Sequence, residues 1–243
     1  MEITPDTLVA DIAAHHPRSI EVFEHHGIDF CCGGHRPLGE ACREHGAEVE
    51  AVAAEIAAAA AREVPQDRVF TDAPLEALLD HIVSRYHLAL REDLPRLGRM
   101  ADKVAEVHGE RHAELNDLAA VYRELRAELE PHLAVEEEQV FPAVRRLADP
   151  TGPIGEDVQP ALHGLEVEHE RVGAALARLR ALSRGFAVPD DGCTTYRALY
   201  EGLERFEREL HEHVHLENNV LFPRVVSLNA HAGARRAPVA GTP

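Results

Sequence analysis

The sequence predicts an all-α protein, a small helical N-terminal domain followed by an up-down four-helix bundle. Three observations carry this reading. From Leu75 onward, leucines and valines recur at the three-and-four spacing of one helix face over four long stretches. The connections between those stretches are short and rich in Gly and Pro, DPTGPIG (149–155) being the plainest. No segment shows a strand-like alternation strong enough to compete.

Taken in order, residues 1–63 are expected as the small N-terminal domain, and 1–47 carry short helical patterns broken by Gly27, Cys31-Cys32-Gly33-Gly34, Pro37 and Gly46. The Ala-rich stretch from Ala51 to Arg62 reads as helix, because Ala costs least there, and its poor apolar variety suggests a linking helix rather than a core. Residues 64–74 form a linker ending in a helix start signal, Thr71 or Asp72 ahead of Pro74. The bundle is expected over 75–228. Helix A runs from about Leu75 to His108, with Leu79, Val83, Leu90, Leu94 and Leu97 on one stripe and a bend at Pro95. Helix B runs from about His112 to Ala148, helix C from about Glu156 to Ser183, and helix D from about Thr194 to Leu228. Residues 229–243, rich in Ala, Gly and Pro, read as a disordered tail.

Composition narrows the function. With 25 Lys+Arg against 43 Asp+Glu, the formal charge of −18 repels phosphate backbones, and without Trp there is little for bases to stack on. Nucleic acid is therefore not expected as a partner. No apolar run reaches the ~18 residues of a membrane span, and the start MEITPDTLVADI lacks the parts of a signal peptide. Four cysteines in a chain of 243 residues do not make a disulfide framework, so a reducing cytoplasm is the expected compartment. The 17 histidines outnumber even the 16 glycines, and they invite a search for metal ligands.

Each bundle helix places one His on its apolar stripe: His87, His132, His169 and His213. Two helices add a carboxylate one turn later on the same face, Glu136 after His132 and Glu217 after His213. Burying two carboxylates with no cation nearby would cost several kcal/mol each. His87 and His132 stand at nearly equal lengths of helix from the turn near residue 110, and at ~1.5 Å per residue they share one height; across the other two loops the levels differ by roughly three and five residues, about one turn, which ragged loop ends absorb. An internal repeat strengthens the case. His132 to Pro142 and His213 to Pro223 both read H-x3-E-x4-F-P, a pseudo-twofold arrangement in which each Glu can bridge two metals. Each Pro should bend its helix just beyond the site.

Other histidines are refused. His211 and His215 share a face with Glu204 and Arg208, and are read as solvent-facing or as backing the ligands. His81 and His163 fall off the stripe or near a helix end. His108 lies ~31 Å along the helix from His87 and is left out.

Four imidazoles and two carboxylates are a nitrogen and oxygen set. Structural zinc commonly takes thiolates, and calcium or magnesium takes oxygens alone. Two octahedral irons fit, with both glutamates and an oxo or hydroxo group bridging. That leaves about one open position per iron for O2 or NO.

At this point the residues resemble a known family. The bundle with H-x3-E on helices B and D is similar to the hemerythrin-like domains, and more closely to the repair-of-iron-centres (YtfE/ScdA-type) di-iron proteins. IDFCCGGHRPL (28–38), RYHLALREDLP (85–95), HLAVEEEQVFP (132–142) and HVHLENNVLFPR (213–224) carry the resemblance. Oxygen-carrying hemerythrins have a second His four residues from the one on helix C, where this chain has Leu165 and Gly173. The resemblance implies a ScdA-like N-terminal domain and a non-haem di-iron centre. It further implies repair of iron–sulfur clusters in client proteins after oxidative or nitrosative stress. Iron delivery is the expected mechanism and a monomer the expected state; an NO or O2 sensor and a di-iron nitric oxide reductase are the alternatives.

Cys31 and Cys32 could relay iron or reduce the centre. Adjacent cysteines do not easily form a disulfide, and exposed amides at the helix start just beyond them should favour thiolates. Cys42 and Cys193 are read as buried or incidental.

Overall fold

The computed structural model describes residues 3–61, 70–149 and 158–236. Among them the chain is all-α, and the one extended pairing is an isolated bridge between Leu8 and Pro37. The α-helices are α1 (Val9–His15), α2 (Ser19–His26), α3 (Leu38–Glu44), α4 (Val49–Ala60), α5 (Leu75–His81), α6 (Leu88–His108), α7 (Glu114–Val135), α8 (Phe141–Ala148), α9 (Gln159–Leu182), α10 (Thr194–His215) and α11 (Phe222–Arg236).

The long helices expected at A, B and D each run through a π-turn. These are Ile82–His87 between α5 and α6, Glu136–Val140 between α7 and α8, and Leu216–Leu221 between α10 and α11. In each, the next N–H bonds a carbonyl five residues back rather than four: Leu88 to Val83, Phe141 to Glu136 and Phe222 to Glu217. The extra residue rotates the next helical segment by roughly 100° against a continuous α-helix. Pro142 and Pro223 stand one residue past two of these turns, after Phe141 and Phe222, and neither has an N–H with which to resume the four-residue register at that point. The bend expected beyond the site is thus a change of helix type at the site.

By their contacts the described residues form two compact units. The first comprises Met1–Asp80, Ala143–Leu162 and Glu212–Pro243, and the second His81–Pro142 and His163–His211. These limits differ from the chain punctuation at 63 and 75. In the first unit, Val9, Ile12, Phe23, Leu38, Val52 and Ile56 are buried, so the Ala-rich helix α4, packed on α2 and α3, is part of a core and not merely a link, and α1 packs on the π-turn Leu216–Leu221. Gly34 lets the chain pass close by: a Cβ there would meet Phe30 O at 2.7 Å and Ala10 Cβ at 2.9 Å. In the second unit α6 packs along α7. Tyr122 and Phe206 are buried with ring centroids 5.9 Å apart, and Tyr122 Oη donates to Leu94 O at 3.3 Å. Gly202 admits Leu97, whose Cδ2 would lie 2.6 Å from an added Cβ.

The reading of 229–243 as disordered needs correction. Helix α11 continues to Arg236, because Ala, Arg and Leu sustain a helix once Val225 is anchored in the core; residues 237–243 lie outside the described residues. The loop at 149–155 is described only at Asp149, and most of the linker at 64–74 also falls outside.

Candidate metal centre

The π-turns hold three of the sequence-predicted ligands: His87 ends the first, Glu136 opens the second, and Glu217 lies in the third. All six predicted groups, His87, His132, Glu136, His169, His213 and Glu217, are buried, and both glutamates are fully so. His132 Nε2 lies 3.2 Å from Glu136 Oε1, and His87 Nε2 lies 3.5 Å from Oε2. His213 Nε2 lies 3.0 Å from Glu217 Oε1. His169 Nε2 and His132 Nε2 approach to 3.2 Å.

Two groups of four donors emerge, each with one ligand atom per residue and all such atoms within 4.8 Å of one another. One contains His87, Glu136, His213 and Glu217; the other contains His132, Glu136, His169 and Glu217. Both carboxylates belong to both groups.

Tautomers can be read from the outer partners. His87 Nδ1 lies 2.8 Å from Glu137 Oε1, and His132 Nδ1 lies 2.7 Å from Glu168 Oε2. A carboxylate accepts only, so each Nδ1 carries the proton and each Nε2 directs a lone pair inward. Lone pairs and carboxylate oxygens then converge. Neither Glu136 oxygen accepts a hydrogen bond of good geometry, although both are fully buried. Such an arrangement is unfavourable without a cation at its centre and favourable with one. The residues fit a metal site.

The carboxylates of Glu137 and Glu168, which hydrogen-bond the candidate ligands His87 and His132, were missed by sequence reasoning. Arg91 also bonds Glu137 Oε1, at 2.9 Å. Burial alone would raise the Glu137 carboxyl; the hydrogen bonds from Arg91 and His87 outweigh it and hold the group below its usual range. Glu137 directly follows Glu136 and Glu168 directly precedes His169, which was the available signal.

The refused histidines lie elsewhere, with one correction. His215 is buried, not solvent-facing: its ring meets Phe30 at 5.7 Å and its Nδ1 accepts from Asn219 Nδ2 at 3.0 Å. Burial lowers its pKa to about 4, so it is neutral. The N-terminal segment covers a face that helical periodicity alone assigned to solvent. His163 is exposed. His108 is buried, with Nε2 3.3 Å from Cys193 Sγ.

A second correction concerns the cysteine loop. The helix-start amides expected to favour thiolates are already taken, Leu38 N–H by Thr7 O at 2.9 Å and Gly39 N–H by Pro5 O at 2.8 Å, and the loop's own N–H groups at Cys31, Cys32 and Gly33 bond the Asp29 carboxylate. The Cys31 thiol is pushed well above its usual range, by its contact with the Cys32 sulfur first, then by burial and the charges of Cys32 and Asp29. Cys42 is buried as expected, and Cys193 is exposed.

Comparison with known proteins agrees with this geometry. The profile of the hemerythrin HHE cation binding domain matches residues 78–225, and that of ScdA_N, a domain of unknown function, matches residues 5–60. A protein of Yersinia pestis (strain Pestoides F) named iron-sulfur cluster repair protein YtfE is 37% identical over 210 residues, covering 86% of this chain and 92% of its own. The chain belongs to the YtfE/ScdA family. A second family member, from Staphylococcus haemolyticus (strain JCSC1435) and named iron-sulfur cluster repair protein ScdA, is 37% identical over 229 residues, 90% of this chain and 98% of its own. The family relationship thus extends over both the Cys-Cys segment and the His/Glu groups.

Proposed function

We propose that this chain is a di-iron protein that repairs iron–sulfur clusters damaged by oxidative or nitrosative stress, by delivering iron to client proteins in the cytoplasm. The observation that carries the reading is the pair of four-donor groups sharing Glu136 and Glu217. In this reading His87 and His213 would hold one iron and His132 and His169 the other, with Glu136 and Glu217 available to both. An all-nitrogen-and-oxygen donor set suits iron better than a thiolate-preferring structural zinc. The names of the Yersinia and Staphylococcus family members support repair as the purpose.

The protein's own part is to orient and to balance charge. Glu137 and Glu168 fix the imidazole tautomers, so that each Nε2 meets a cation with its lone pair. Two buried carboxylates offset much of the charge of two cations, which lets the pair be held without thiolates. Bound iron would supply ligand positions for a small molecule and the cargo for transfer. Cys31 and Cys32 are proposed as accepting or reducing groups.

Metal analysis of the purified chain tests this: two irons per chain are expected, and a single zinc would overturn it. Incubating the iron-loaded protein with a peroxide-inactivated iron–sulfur hydratase and a thiol reductant should restore hydratase activity. Binding of NO or O2 with no iron transfer would favour a sensor instead.

A further inference from the structure

The adjacent thiols at Cys31 and Cys32 stand in different surroundings. Asp29 Oδ1 accepts the N–H groups of Cys31 at 2.9 Å and Cys32 at 3.0 Å, while Oδ2 accepts that of Gly33 at 2.9 Å. The same Oδ1 lies 3.3 Å from Cys31 Sγ. An ionised carboxylate has no hydrogen to give, so this contact is favourable only while Cys31 keeps its thiol proton. A thiolate there would face a carboxylate at close range.

Cys31 is also held inward. It is 5% exposed, and its carbonyl accepts from Asn218 Nδ2 at 3.5 Å and Asn219 Nδ2 at 3.2 Å. Asn219 Nδ2 further bonds the Phe30 carbonyl at 3.0 Å. Cys32 is half-buried; its sulfur lies 3.8 Å from that of Cys31, and the two are not joined in a disulfide.

We infer that Cys32 is the thiol of this pair that soft electrophiles meet first, and that Asp29 is the positioning residue that sets the order by keeping Cys31 inward and protonated. This division is independent of metal content, so it can fail while the di-iron reading stands, and the reverse. With iodoacetamide as the probe, the chosen sulfur forms an S–C bond, iodide leaves with the electron pair of the C–I bond, and the thiol proton passes to water.

Limited alkylation of the full-length native protein, with fragment-ion mass spectrometry to separate positions 31 and 32, tests it. The first label should fall on Cys32 by at least about tenfold over Cys31. In Cys32→Ser, Cys31 should remain slow, which excludes crowding by an adduct on its neighbour as the cause. Adding Asp29→Asn to Cys32→Ser keeps an oxygen acceptor for the amides and removes the charge. Cys31 should then react several-fold faster, with its rate profile moved to lower pH. Equal labelling in the wild type, or rapid labelling of Cys31 in Cys32→Ser, would overturn the order whatever Asp29→Asn does to folding. An unchanged Cys31 rate and profile in the double variant would overturn the role of Asp29. Buried Cys42 should stay unlabelled throughout, reporting that the domain is folded.

Discussion

The two copies of H-x3-E-x4-F-P share a backbone and differ in their outward tasks. In both, the Glu carbonyl accepts from the Phe N–H five residues on, and Pro comes next. In the first copy the residue after the Glu is Glu137, which braces His87 and pairs with Arg91. In the second copy Asn218 takes that place with Asn219 beside it, and both donate to carbonyls of the cysteine loop. One copy is turned to charge and to another candidate ligand, the other to neutral backbone. A repeated motif therefore carries the shared chemistry in its common positions and the local division of labour in the others.

The sharpest way to break the symmetry is to remove a shared carboxylate charge. Glu136→Gln and Glu217→Gln should each weaken metal binding beyond the roughly 10–100-fold expected for an outer partner. Competitive titration against a chelator measures this, and a large loss from one variant with none from the other would mean the copies are not equivalent. Next comes the brace peculiar to the first copy. Glu137→Gln, and likewise Glu168→Gln, should cost about 10–100-fold in metal affinity by the same titration. Asn218→Ala, at the matching position of the second copy, should change affinity far less.

Smaller effects fall on stability. Asn219→Ala removes the amide that bonds the carbonyls of Phe30 and Cys31, and should cost about 1–2 kcal/mol in denaturant unfolding. Glu138→Ala, at the equivalent exposed position of the first copy, should stay within about 0.5 kcal/mol of wild type. A comparable loss in both would show that the backbone, and not the loop contact, is what Asn219 serves.

The legible parts were those that depend on local order. Helices A to D lie close to where the apolar stripes and Gly/Pro breaks put them, since a helix needs only its own residues to set its period. His87, His132, His169 and His213 were marked by the same stripe, and Glu136 and Glu217 by their one-turn spacing. The π-turns were not legible: one inserted residue shifts the apolar stripe by a single position, a change that the mixed three-and-four spacing of an ordinary helix conceals. Glu137 and Glu168 were missed because a carboxylate beside a ligand serves a different helix from its own. His215 was assigned to the wrong environment, and the helix-start amides of Leu38 and Gly39 were taken as available, for one reason: segments distant in the chain cover them.

By itself, the sequence determined the all-α class, the course of the four long helices and the types of side chain they carry, because these derive from 3.6-residue periodicity and from what each side chain can donate. Only the tertiary structure decided which imidazole nitrogen faces inward, where the helices widen to aim their carboxylates, and which thiol is shielded. Those outcomes depend on groups far apart in the chain meeting at hydrogen-bond distance, and periodicity holds no information about distance across space.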